Sequence, residues 1–317
     1  MELQSPGPAQ PPDMMHTIFL NPRGLRAGWR LAIFVLLFAA TLLLLSGLLF
    51  PVLRKAGNIT PGSSPGIMLL LEVVSFLAVA ISSWIMSRIE HRNMGEYGLP
   101  LRNSSALSRF ISGYILWGFL PLSLLLLAMR GLHVFYFGQT ALHGVEILNW
   151  AALWGLFFLF VGLFEEYLLR GYTLYTLADG IGYWPAAIVL AALFALGHAR
   201  NPGETRLGVI MTAAFALFAS VTLRRTGNLW LAVGAHAGWD WGQSYFYGVA
   251  DSGQQFKGHL LNPHIAGPDW LSGGSVGPEG SALVLVLMAT MAVLFMVLYK
   301  EPAPTPAETS SATVDPA

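Results

Sequence analysis

About eight stretches of this chain are apolar over a length that reaches or approaches the ~20 residues needed to cross a bilayer core. They run over Leu31–Phe50, Ile67–Met86, Phe110–Met129, Trp150–Ala178, Trp184–His198, Leu207–Leu223, Leu229–Val249 and Ala282–Tyr299. No feature constrains the fold more. Inside lipid every backbone N–H and C=O must be paired within the protein, so only helices and closed barrels span it. These runs of Leu, Ala, Val and Phe lack the alternation of a barrel strand, which selects helices. Composition agrees, with 55% hydrophobic and only 11% charged residues, against about 25% charged in an ordinary soluble domain. The expected fold is all-α, a polytopic transmembrane bundle of about eight spans.

Lys and Arg equal Asp and Glu at 17 each, so no basic excess exists for gripping nucleic acid. Cys is absent, which removes disulfide scaffolds, thiolate nucleophiles and thiolate metal sites. The first residues, with Pro6, Pro8, Pro11 and Pro12, read as a polar disordered tail rather than a signal peptide, and the apolar run after it as a retained anchor. The expected organisation is a tail over 1–26, membrane helices over 27–147, a core over 148–250, a Gly/Pro-rich loop over 251–281, a last helix over 282–300 and a second tail over 301–317. Basic residues favour both termini in the cytoplasm under the positive-inside rule. That makes the chain an integral protein of a membrane, with a bacterial cytoplasmic membrane as the expected one and lipid as its first partner.

An ionisable side chain at mid-bilayer costs at least ~2.5–3.5 kcal/mol on insertion scales, so each one asks for a function. Glu165-Glu166-x-x-x-Arg170 lies in the fourth run, Phe194-x-x-x-His198 ends the fifth, and His236-x-x-x-Asp240 lies in the seventh. Glu166 and Arg170 are four apart with the acid first, the favourable order for an ion pair on a helix. Glu165 points about 100° away and is left free for general-base work on water. Glu165 and His198 both fall ~20 Å from the turn marked by Gly180 and Gly182, at 1.5 Å per helical residue, and so at similar depth on adjacent helices. His236 and Asp240 share one helix face. A lone Glu72 in the second run reads as a packing or interhelical hydrogen-bonding residue, while Glu90 and Arg88 read as interfacial anchors.

These three motifs, in this order and each on a membrane helix, resemble the signature of the CPBP (CAAX protease and bacteriocin-processing) intramembrane endopeptidases, among them the type II CAAX prenyl endopeptidases. The likeness covers Gly162 to about Gly248, and the Gly-rich segment Ser272–Gly280 also looks like one found in some of these proteins. The resemblance implies a conical active-site cavity between helices and a peptidase acting near the end of a membrane-associated or lipidated protein or peptide. It implies that Glu165 activates the hydrolytic water with help from His198, and that Glu166 and Arg170 organise the site with Phe194 beside them. It further implies that His236 and the residue four later support the oxyanion. That position is often Asn in the family; an ionised Asp only accepts hydrogen bonds, so Asp240 is expected to orient His236 instead. Glu165, His198 and His236 also make up a His₂Glu zinc set. No His-Glu-x-x-His motif is present, and Arg170 brings a fixed charge close by, so no metal or other cofactor is expected. Two other readings stand beside the peptidase: a non-catalytic immunity or peptide-binding membrane protein, and a transporter using the buried acids as a relay. The transporter reading calls for internal repeats, which the chain lacks.

Overall fold

The computed structural model describes residues 18–21, 24–55, 64–100 and 105–300. Both long tails expected from the sequence therefore lie largely outside the described residues. Within the N-terminal one, strands β1 (Leu20–Asn21) and β2 (Gly24–Leu25) form a short antiparallel pair.

Each apolar run becomes helix. These are α1 (Ala27–Lys55), α2 (Pro65–Ile89), α3 (Ala106–Gly131), α4 (Val145–Ile181), α5 (Tyr183–His198), α6 (Arg206–Thr226), α7 (Trp230–Asp240) and α8 (Leu283–Leu298). Five of them, α1 to α4 and α6, are long and apolar enough to cross a membrane. Helices α5 and α8 have 16 residues each, about 24 Å at 1.5 Å per residue and short of a ~30 Å hydrocarbon core. Helix α7 differs again, since every residue from Leu231 to Asp240 is buried. It is the axial helix of the bundle, not a lipid-facing span.

Small residues let α7 sit there. A Cβ on Gly234 would lie 2.2 Å from the Phe110 carbonyl oxygen, and one on Gly238 would lie 2.3 Å from that of Tyr114. Across the crossing, a Cβ on Gly113 would lie 2.1 Å from the Leu231 oxygen and one on Gly118 2.3 Å from the Ala235 oxygen. Backbone thus meets backbone between α3 and α7, the small-x-x-x-small packing on which membrane helices rely when hydrophobicity cannot drive them together. His236 follows Gly234 by two residues, about 200° around the helix, and so faces the side away from α3. That side meets α4, where Gly162 leaves a built Cβ only 3.5 Å from His236 Cβ.

The apolar core falls into two main clusters on either side of α7. One gathers Trp117, Phe218, Leu231 and Phe295 from α3, α6, α7 and α8, and the other Phe34, Val79, Leu163, Tyr167 and Val233 from α1, α2, α4 and α7. Three π-helical turns interrupt the bundle, at Gly113–Phe119 in α3, Leu169–Thr173 in α4 and Trp241–Phe246 directly after α7. Such turns absorb an extra residue and re-aim the side chains around them, often at functional sites.

The Gly/Pro-rich segment carries structure that hydropathy does not announce. Strand β3 (Phe135–Thr140) pairs antiparallel with β4 (Leu261–Ile265), with Phe135 opposite Ile265 and Thr140 opposite Leu261. The register shifts between Tyr136 and Gln139, around Gly138, where a Cβ would lie 1.7 Å from the Asn262 oxygen. A second tie joins the loop to the α5–α6 turn: Ser275 Oγ–H donates to Gly203 O at 2.8 Å and Asn201 Nδ2–H to Ser252 O at 3.2 Å, while Gly253 N–H donates to Val276 O at 3.0 Å within the loop. The two ends of the segment are thus held at the turn that follows His198, and its middle on β3.

Candidate active site

Helix α4 delivers Glu165 and Glu166 one turn before its π-helical turn, and the adjacent pair splits in environment as helical geometry requires. Glu166 is fully buried, whereas the Glu165 side chain keeps 24% of its exposure. Glu166 Oε1 accepts from Arg170 Nη1 at 3.2 Å and from His236 Nδ1 at 2.9 Å. Desolvating such a pair costs several kcal/mol per ion, which only close pairing and further hydrogen bonds return. The imidazole supplies one of those bonds and is thereby fixed in orientation.

The other ring nitrogen of His236 faces the remaining acids. Nε2 lies 3.5 Å from Glu165 Oε2 and 3.4 Å from Asp240 Oδ2. One imidazole therefore bridges both glutamates of α4 and the aspartate of its own helix. Phe215 of α6 meets the ring edge to face at 5.3 Å between centroids, closing the last side.

His198 enters from α5. Its Nδ1 lies 3.0 Å from the Phe194 carbonyl; since a carbonyl can only accept, Nδ1 carries a hydrogen and is the donor. The Phe194 ring stands 4.3 Å from the His198 ring and 5.2 Å from the Arg170 guanidinium. A cation, an aromatic face and an imidazole thus stack in sequence, linking the α4 ion pair to the second histidine.

His198, His236 and Asp240 line one cavity of about 60 Å³ together with Phe194, Phe215 and Trp239, room for a few waters. Glu165 meets the group at His236. The structure thus brings the three motifs together: Glu165, Glu166, Arg170, His236 and Asp240 through direct polar contacts, Phe194 and His198 through the ring stack and the shared cavity. Glu72 of α2 lies within electrostatic reach of Glu165. Among the described residues no group of three or more His, Asp or Glu side chains has the arrangement of a metal site.

Two cavity-lining residues carry no sequence signal of their own. Phe215 is one more aromatic in an apolar helix. Glu279 sits in the Gly-rich loop and lines the cavity with Ser252, whose backbone N–H donates to Glu279 Oε1. Nearby, Ser244 Oγ–H donates to Asp251 Oδ2 at 2.8 Å. Burial pushes the Glu279 carboxyl above the ordinary range, and the neighbouring Asp251 carboxylate pushes it further. Asp251 is raised by burial too, against the Ser244 hydrogen bond that favours its charge.

A comparison with curated proteins finds no match to the chain. A comparison with protein families does: residues 147–242 match the family described as type II CAAX prenyl endopeptidase Rce1-like. The matched stretch begins at the head of α4 and ends two residues past Asp240, so it takes in every residue of the three motifs. With this match and the membrane helices around it, the chain carries an Rce1-like CAAX endopeptidase domain and is a membrane-embedded protease.

Proposed function

We propose that the protein hydrolyses a peptide bond near the end of a membrane-associated or lipidated protein by a glutamate-activated water, without a metal. The reading rests on one observation above all: Glu165, the more exposed acid of the pair, stands 3.5 Å from His236 Nε2. Glu165 takes a proton from a water in the cavity as the oxygen of that water attacks the carbonyl carbon. His198, whose Nδ1–H is held by the Phe194 carbonyl, shares the base role through Nε2. The carbonyl π electrons move onto oxygen, and the resulting oxyanion accepts from His236 Nε2–H. A donor of that kind is worth ~3–4 kcal/mol in better-studied hydrolases. Asp240 and Glu166 hold the ring from its two ends, so Asp240 acts as a positioning residue. Collapse of the tetrahedral intermediate expels the amine, which takes the proton from Glu165 or His198. Glu166 serves the pairing with Arg170 and His236, which leaves Glu165 to the water.

The absence of a metal from the mechanism is supported by the donors themselves. Arg170 shares Glu166 with His236, and both His236 nitrogens already meet carboxylates. The natural peptide is expected to be hydrophobic or lipidated, because the cavity lies among helices and six of its walls are Phe194, Met211, Phe215, Trp239, Val284 and Met288. The test uses the purified full chain in lipid nanodiscs with a quenched fluorescent prenylated peptide, with and without strong chelator. Cleavage that survives chelation and is lost in Glu165→Gln and His198→Ala is expected. Turnover by Glu165→Gln at the wild-type rate, or loss on chelation with recovery on adding zinc, would overturn the mechanism.

A further inference from the structure

The cavity that holds the catalytic imidazoles has a wall which the mechanism above does not use. Glu279 projects into it from the loop ahead of α8, with Ser252 beside it. The charged and titratable groups around Glu279 are Asp251 and Glu204 from the loops and Asp240 from α7, with His198 and His236 across the cavity. Among the described residues no Lys or Arg pairs with Glu279. The Ser252 N–H bond aims the carboxylate, and the ties of Gly253 to Val276 and Ser275 to Gly203 keep that wall in place. The wall therefore offers a carboxylate that Ser252 orients and that no Lys or Arg among the described residues neutralises.

We infer that Glu279 is a specificity-determining residue that receives a basic side chain of the substrate peptide next to the scissile bond. The inference rests on the peptidase reading and names the substrate class for that same site. Position follows from scale. Glu279 lines the same small cavity as His198, His236 and Asp240, so the cation belongs to a residue close to the cleaved bond. An acid raised by burial and by Asp251 becomes a stronger partner for a cation as it loses its proton, so the preference strengthens with pH.

The experiment compares two hydrophobic lipidated peptides that differ only in Arg or citrulline beside the cleaved bond, in nanodiscs, from about pH 6 to about pH 9. The readout is the ratio of their kcat/KM values, in which the ionisation of Glu165 cancels. A charged hydrogen bond is worth ~1.5–3 kcal/mol, so the wild type is expected to favour Arg by about ten- to hundredfold at the alkaline end. The ratio should fall as pH drops and approach one at every pH in Glu279→Gln, while Glu279→Asp retains a preference. Should Glu279→Gln not fold, a Glu-for-citrulline peptide on the wild type decides, and it is expected to be the poorest of the three. Equal cleavage of Arg and citrulline peptides by the wild type at high pH, or an undiminished ratio in Glu279→Gln, would overturn the inference. Glu165→Gln run on both peptides keeps the outcomes apart: if it still cleaves them, the peptidase mechanism has failed and not the role of Glu279.

Discussion

Replacing Gly238 by alanine tests whether the backbone crossing of α3 and α7 is what sets the catalytic geometry. The new Cβ would lie 2.3 Å from the Tyr114 oxygen and 2.9 Å from both its carbonyl carbon and its Cα. All three are backbone atoms, so no side-chain rotation relieves the clash. Ordinary contact begins at 3.4 Å, so the helices must part by about 1 Å, and misplacement on that scale costs roughly 100-fold in rate. His236 lies two residues before Gly238, with its Nδ1 2.9 Å from Glu166. Moving α7 toward α4 compresses that contact, and tilting it away breaks it. Overpacking of this kind costs about 1–3 kcal/mol of stability. Peptide cleavage in nanodiscs and thermal unfolding in detergent should therefore fall together. Gly47→Ala, where a Cβ meets nothing within 4 Å, is the control that changes neither. A Gly238→Ala protein with wild-type rate and wild-type unfolding would refute the claim that this crossing positions the site.

Arg170→Ala should strand Glu166 in the interior and cost about 3–5 kcal/mol of stability, read as a lower unfolding midpoint in detergent. Arg170→Lys should recover only part, since an ammonium reproduces neither the planar fork nor the stack on Phe194; full recovery would count against the stack. Phe215→Ala removes the edge-to-face contact with His236, worth about 0.5–1.5 kcal/mol. Its kcat should drop about two- to tenfold, with Phe215→Tyr restoring it and KM moving less. Glu279 has its carboxyl raised from 4.5 to about 8 in the folded protein. A group so raised binds its proton more tightly folded than unfolded, so its stabilisation is complete below 4.5 and is lost as pH rises through about 8. Hydrogen exchange at the Ser252 and Gly253 amides, corrected for intrinsic rates, should show the loop opening more readily across that window, and Glu279→Gln should remove the trend. An unchanged trend in that variant would assign it to Asp251 or another group.

The membrane helices were legible because the bilayer leaves a chain few options. A long apolar stretch without alternation has to satisfy its backbone internally, and the runs read from hydropathy match the helices closely, from α1 to α8. The groups of the candidate site stood out for the opposite reason, since the same solvent makes each buried charge conspicuous. Helical spacing also paired Glu166 with Arg170 correctly. Spacing along one helix could not show that Glu166 also grips His236, because that contact joins residues 70 apart and depends on how α4 and α7 are docked. Hydropathy likewise gave α7 the same standing as the other runs, although its neighbours bury it on every side. The β3–β4 ladder left no trace, as its strands are short and carry Gly138 and Pro263.

What the sequence determined by itself, then, is the helical membrane bundle and the identity of the chemical groups in it, because burial energies in lipid act residue by residue. What only the tertiary structure decided is their arrangement in space. Which glutamate is buried, which ring nitrogen faces which acid, and that Glu279 shares the cavity all follow from distances between helices and loops far apart in the chain. Those distances are set by glycines where backbones touch and by a loop pinned at two places, and no local pattern encodes them.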